Sequence, residues 1–286
     1  MRSFFLGILT LTLCIHKAAS AQDVKQGDFE VHELSENVHV LSYVWREHVK
    51  INVGVVEGDT GLLLISSFMA STAPALEAHI QKLSNKPIKY VFNLAEDTFH
   101  HHANKYFADR GATIISHEEL KSIAEYTEVT FKDKLTLNFG KETLTAYYTP
   151  AHTKAQTILH LKESNIIFMG DALRTDWLMF IGPNGVSGQL AGLDFAASLA
   201  NGTTKFVQGN RGKKVSNSKT ELVEAKATLL SFSERVDALS KQGLSAEAIT
   251  NDPQIIELAK PLEQYEYFSP YLKEHVEELI NTAKPE

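Results

Sequence analysis

A single cysteine, Cys14, stands among the 286 residues of this chain. One thiol cannot close an intrachain disulfide or build a multi-thiolate metal site. Basic charge is also scarce: 28 Lys and Arg against 35 Asp and Glu leave a net charge of −7. Nucleic-acid binding needs Lys and Arg clustered on one face. The run Arg211-Gly212-Lys213-Lys214 is too short to supply that, so no nucleic-acid partner is expected. The leading apolar run, Phe4 to Ile15, falls well short of the ~20 residues that a membrane-spanning helix needs. No membrane span is expected either. There is no Gly-x-Ser-x-Gly elbow, which leaves a serine-centred covalent mechanism without an obvious carrier.

What is present begins with an export signal. Met1-Arg2 gives a positive start, the apolar run follows, and Ala19-Ser20-Ala21 is a small-residue cleavage site before Gln22. Leu13 precedes Cys14, where lipid attachment would need a small residue. Residues 1–21 therefore read as a cleaved signal peptide and the protein as periplasmic or secreted. Cleavage removes Arg2, Lys17 and Cys14 but no acid, so the charge moves from −7 to −9 through the loss of two cations. The mature chain then has no thiol. Any metal site in it must draw on His, Asp, Glu or backbone oxygen.

Residues 22–286 read as one domain, with a core over about 36–212 and a helical extension over about 219–284. A chain of this size buries roughly 75% of its unfolded surface, enough for a core without cross-links. Val38–Val44, Ile51–Val56 and Leu62–Ile65 read as strands, with Gly58-Asp59-Thr60-Gly61 as a turn. A helix spans 72–84, Tyr90–Phe92 is a short buried strand, a helix lies near 100–109, and Ala112–Ile115 is a strand. Leu144–Tyr148, Thr157–Leu161 and Ile166–Met169 form a second strand-rich half. A helix near 189–200 then leads to the strand Lys205–Val207. Leu222, Ala225, Leu229, Phe232, Val236 and Leu239 recur three and four residues apart, giving one apolar helix face that ends at Gly243. Strands and helices mixed in two similar halves suggest two sheets packed face to face with helices outside.

The residues that carry chemistry fall in an ordered series. The strand Tyr90-Val-Phe-Asn93 runs into Leu-Ala95-Glu-Asp97-Thr-Phe99-His100-His101-His102, and Gly111-Ala-Thr-Ile-Ile-Ser-His117 follows. Then come Pro150-Ala-His152-Thr153, Phe168-Met-Gly170-Asp171 and Phe206-Val-Gln-Gly-Asn210-Arg-Gly212. In order and spacing this series resembles the metallo-β-lactamase superfamily. There, a buried strand ending in Asn enters a His-x-His-x-Asp-His loop. A ligand His, a Gly-Asp turn and a Pro-Gly-His-Gly motif follow. The resemblance implies an α/β (α+β) fold, a four-layer αββα sandwich, here with a C-terminal helical tail. It also implies a centre where imidazoles and carboxylates hold two zinc ions at ~2.0–2.2 Å. Such ions acidify a shared water that attacks an ester, thioester, lactone or amide carbonyl.

Carried over position by position, most of that centre is missing. The first two loop histidines are Ala95 and Asp97, the loop aspartate is Phe99, and the final histidine is Asn210. His100, His152 and Asp171 remain, three of seven ligands. The strand acid that buttresses the loop is Ser66, and the small-acidic pair after the His-Thr motif is Ala155-Gln156. Phe99 is expected to put apolar volume where an ion and its water would sit. A dinuclear hydrolytic centre is therefore not expected, and no catalytic residue is assigned.

The expected set for at most one divalent ion (zinc, manganese or iron) is Asp97, His100, His152 and Asp171. No cofactor at all is the leading expectation. Successive helix positions point about 100° apart, so His100 is expected to face the cleft while His101 and His102 face solvent. By resemblance Trp45, Trp177, Phe180 and Asn210 line a cleft for a small molecule, although the aromatics could equally cover a sheet edge. Two classes stay open: a non-catalytic binding or accessory protein, with a small molecule or a periplasmic protein as partner, and a hydrolase with a rebuilt single-metal site.

Overall fold

A computed structural model describes residues 27–46, 49–176, 178–210, 214–260 and 268–282. Residues 1–21, read above as a signal peptide, and Trp177 lie outside the described residues. Seven strands form one sheet in chain order: β1 Phe29–Ser35, β2 Val38–Arg46, β3 Val49–Glu57, β4 Leu62–Ile65, β5 Ile88–Phe92, β6 Thr113–His117 and β7 Thr127–Phe131. β1 to β4 pair antiparallel through short turns, and β4 to β7 pair parallel. Parallel pairing needs crossovers. These are α1 (Ala73–Leu83), the pair α2 (Thr98–His101) and α3 (Asn104–Ala108), and, between β6 and β7, residues 118–126 with one short 3-10 turn, Glu118–Leu120.

The second sheet has the order β12-β11-β10-β9-β8, with β8 Lys134–Phe139, β9 Glu142–Tyr148, β10 Thr157–Leu161, β11 Ile166–Gly170 and β12 Lys205–Gln208. The helix α4 (Gly185–Leu199) makes the parallel crossover from β11 to β12. The chain ends in α5 (Lys219–Lys241), α6 (Ala246–Thr250), α7 (Pro253–Ala259) and α8 (Phe268–Thr282). No helix among the described residues is long and apolar enough to cross a membrane.

Three apolar clusters make the layers. Between the sheets lie Val40, Val56, Leu63, Ile65 and Phe92 from one side and Leu144, Leu159, Leu161, Phe168 and Val207 from the other. Leu41, Val53, Leu64 and Val91 face outward onto Leu76, Ile80 and Phe107 of the helices. Ile158, Ile167 and Phe206 face Leu193, Leu222, Leu229 and Val276. The result is a four-layer αββα sandwich with a helical tail. Strands covered on both faces read as continuous apolar runs, as Leu62–Ile65 does. The sheets come close at Gly54, where a Cβ would stand 2.6 Å from the Phe168 ring.

The one helix read near 100–109 is in fact two short ones. Ala103 N donates to Phe68 O at 2.9 Å and to Ser67 Oγ at 3.2 Å, so the chain ties back to the loop after β4 instead of continuing the helical ladder. β7 and β8 were not read from the sequence at all. α4 starts at Gly185, a turn earlier than its pattern suggested.

Candidate functional site

The site forms where β4, β5, β11 and β12 end. Chain ends of parallel strands diverge into loops there, which is where open α/β sheets leave room for ligands. Ser66 follows β4, Asp97 flanks the start of α2, His100 lies within it, Asp171 directly follows β11, and Asn210 follows β12. His152 comes from the β9–β10 connection. Ser66 and His152 hold left-handed backbones, at φ 73° and 53°, a strained state for non-glycine residues that clusters at functional positions. Gly170, at φ 52°, turns the chain so that Asp171 points inward.

Asp171 is the hub and is fully buried. Its Oδ2 lies 3.3 Å from His100 Nε2 and 3.7 Å from His152 Nε2. Its Oδ1 accepts from Asn210 Nδ2 at 2.8 Å and lies 4.0 Å from an Arg174 guanidinium nitrogen. A carboxylate only accepts, so His100 Nε2 carries a proton. The other His100 nitrogen shares a 2.6 Å hydrogen bond with Ser66 Oγ. Burial works against the Asp171 charge. His100, Arg174 and His152 outweigh it and hold the carboxyl well below the usual carboxylate range.

His152 Nε2 meets Asp97 Oδ2 at 3.0 Å, and its backbone N donates to Gln189 Oε1 at 2.9 Å. Burial lowers the His152 pKa, but Asp97 and Asp171 raise it by more. His101 bonds Glu96 O at 2.9 Å and His102 is exposed, so only His100 of the histidine run enters the site.

No family model and no curated protein matches the chain. Solved structures do match. A metallo-β-lactamase from Pontibacter korlensis has a TM-score of 0.61 and 16% identity, covering 71% of this chain and 99% of that one. The DIM-1 metallo-β-lactamase exposed to ceftazidime has a TM-score of 0.61 and 17% identity over 71% and 97%. TMB-1 has a TM-score of 0.60 and 19% identity over 70% and 96%. The fold is that of the metallo-β-lactamases.

In this metallo-β-lactamase fold a zinc pair does not fit the side chains present. Ala95 offers no donor. Asn210 turns an N–H donor, not a lone pair, toward Asp171. Phe99 has its ring centroid 4.7 Å from Trp45 and 6.4 Å from Phe68, in the cluster behind the seven-stranded sheet. That corrects the expectation that it fills the centre, since Asp97 and His152 touch with no ring between them. For a single ion the count does fit: Asp97, His152 and Asp171 offer ligand atoms all within 4.8 Å of one another, and three protein donors suffice for an open metal site. His100 touches Asp171 but is outside that group of three.

Of the expected cleft residues, Asn210 sits in the centre, and Phe180 lies beside it with its ring 4.1 Å from His275 and 5.3 Å from the Arg174 guanidinium. Trp45, in β2, packs on Phe99 in the outer cluster. Sequence reasoning missed Arg174 and Gln189. A lone Arg in a largely apolar loop and a Gln inside an apolar helix carry no pattern. Next to the centre is a cavity of about 350 Å³ between the 174–179 loop and α5. It shares Arg174 as a wall and is also lined by Thr175, Met179, Asn217 and Leu229.

Proposed function

We propose that this is an exported, non-catalytic relative of the zinc hydrolases: a binding or accessory protein that keeps the metallo-β-lactamase fold and its cleft without zinc chemistry. One observation carries the reading. Asp171, the carboxylate that by resemblance bridges two ions, is satisfied on both oxygens by the protein's own side chains. Its partners balance its charge, so the folded chain does not require a dication there.

The adjoining cavity supports a small-molecule ligand, being within the ~300–1,000 Å³ typical of such sites. Asn217 Nδ2, buried in its lining, has no hydrogen-bond partner among the described residues. Hydrolysis of β-lactam, thioester and lactone reporters by the purified protein should be no faster than buffer, with or without added zinc. Zinc-dependent turnover that a chelator abolishes would overturn the reading.

The convergence of Asp97, His152 and Asp171 favours a second reading, a hydrolase with one divalent ion held by those three groups. When bound, such an ion would supply Lewis acidity and an acidified water. On this second reading zinc or manganese raises the melting temperature of the wild type and leaves the His152→Ala, Asp171→Ala double variant unmoved. The first reading expects no such difference.

A further inference from the structure

Arg174 is the permanently charged cation among the partners of Asp171. It is 5% exposed and stands 4.0 Å from Asp171 Oδ1. Its position is built. The guanidinium lies 5.3 Å from the Phe180 ring centroid, and that ring packs at a tilt against His275 at 4.1 Å. His275 is buried and lies 3.1 Å from Leu178 O through Nε2. His275 belongs to α8, so support for the cation runs from the tail helix, through an aromatic ring, to the carboxylate. Cation over aromatic face is a favourable arrangement, stronger where water is excluded.

A divalent ion on Asp97, His152 and Asp171 would share Asp171 with this guanidinium. Two cations on one buried carboxylate repel strongly, because little water screens them. Arginine cannot escape by losing its proton. We infer that Arg174 is the resident cation of the centre, and that its charge, not a shortage of donors, keeps a divalent ion off Asp97, His152 and Asp171. The inference rests on the metal-free reading above. It adds that a latent single-ion site for zinc or manganese lies under Arg174.

The test is a gain of binding, which a merely structural role for Arg174 would not produce. Zinc chloride and manganese chloride are titrated calorimetrically into the wild-type protein, Arg174→Met and Arg174→Lys, with bound metal counted after dialysis. Arg174→Met should take up one ion at least tenfold more tightly than the wild type. Arg174→Lys, which keeps a charge, should stay near the wild type. Adding Asp171→Asn to Arg174→Met should abolish the gain. Equal weak binding by wild type and Arg174→Met overturns the inference alone. Tight binding by the wild type itself overturns the metal-free reading and the inference with it. Should Arg174→Met fail to fold, Phe180→Ala keeps the charge but removes its support. It should then show the gain in part, and no gain there overturns the inference as well.

Discussion

Gly209 leaves no room for a side chain beside the centre. A Cβ there would stand 2.8 Å from His100 Cε1 and 3.0 Å from Asp171 Oδ1. Both neighbours are buried and held by hydrogen bonds, so neither can yield freely. Gly209→Ala should therefore cost about 1–3 kcal/mol, the usual range for overpacking. Urea denaturation checks this, and an unchanged midpoint would show that the centre is looser than its distances indicate. At this scale much was legible in the sequence. Asp97, His100, His152, Asp171 and Asn210 all meet in one place because the ordered motifs set the loops that carry them. Arg174 was not legible, since its approach to Asp171 and to the Phe180 ring is a tertiary contact that residue order does not announce. Phe99 was misread because its ring follows Trp45 into the outer cluster, and side-chain direction at a short helix is not fixed by residue order.

The tail helix α8 makes its own contribution to the wall of the site. Glu278 Oε1 accepts from Ile181 N at 3.1 Å, and burial pushes the Glu278 carboxyl up. A carboxyl whose pKa is raised on folding stabilises the fold in its protonated form. That contribution is present below the unfolded pKa and is lost as pH rises through the folded value. Above the folded value the protein carries a half-buried charge that a neutral amide would avoid. Glu278→Gln keeps the oxygen that faces Ile181. It should be more stable than the wild type at pH 7, by less than ~1 kcal/mol given the solvent screening. The difference should fade toward pH 4, near the ~4.3 of an unperturbed Glu. Thermal melts at the two pH values decide it, and a gain that persists at low pH would rule out charge as its cause. Elements with strong apolar runs, such as β4, β10 and α5, were legible from their patterns. β7 and β8 were not, because Thr127–Phe131 and Lys134–Phe139 have mostly solvent-facing or half-covered residues and lie at sheet edges. The break between α2 and α3 comes from a tertiary bond to Phe68 that no local pattern announces.

For the molecule as a whole, the reading as an exported protein predicts a defined start. The purified periplasmic protein should have the intact mass of a chain beginning at Gln22. A retained leader, or lipid on Cys14, would sink that reading. The pairing of the two sheets has a further consequence, in the order of events as the chain folds. The seven-stranded sheet adds its strands in chain order, each beside the last, so it can grow by short steps. The centre cannot. Asn52 reaches Gln208 O across 156 residues at 2.8 Å, and Ile51 pairs with Asn210. Contacts so distant in sequence are slow to form, because the chain entropy between them is surrendered before they reward it. Until β12 docks, Asp171 Oδ1 lacks its Asn210 partner, so the hydrogen bonding of the centre is completed only as the sandwich closes, late in folding and not at its start.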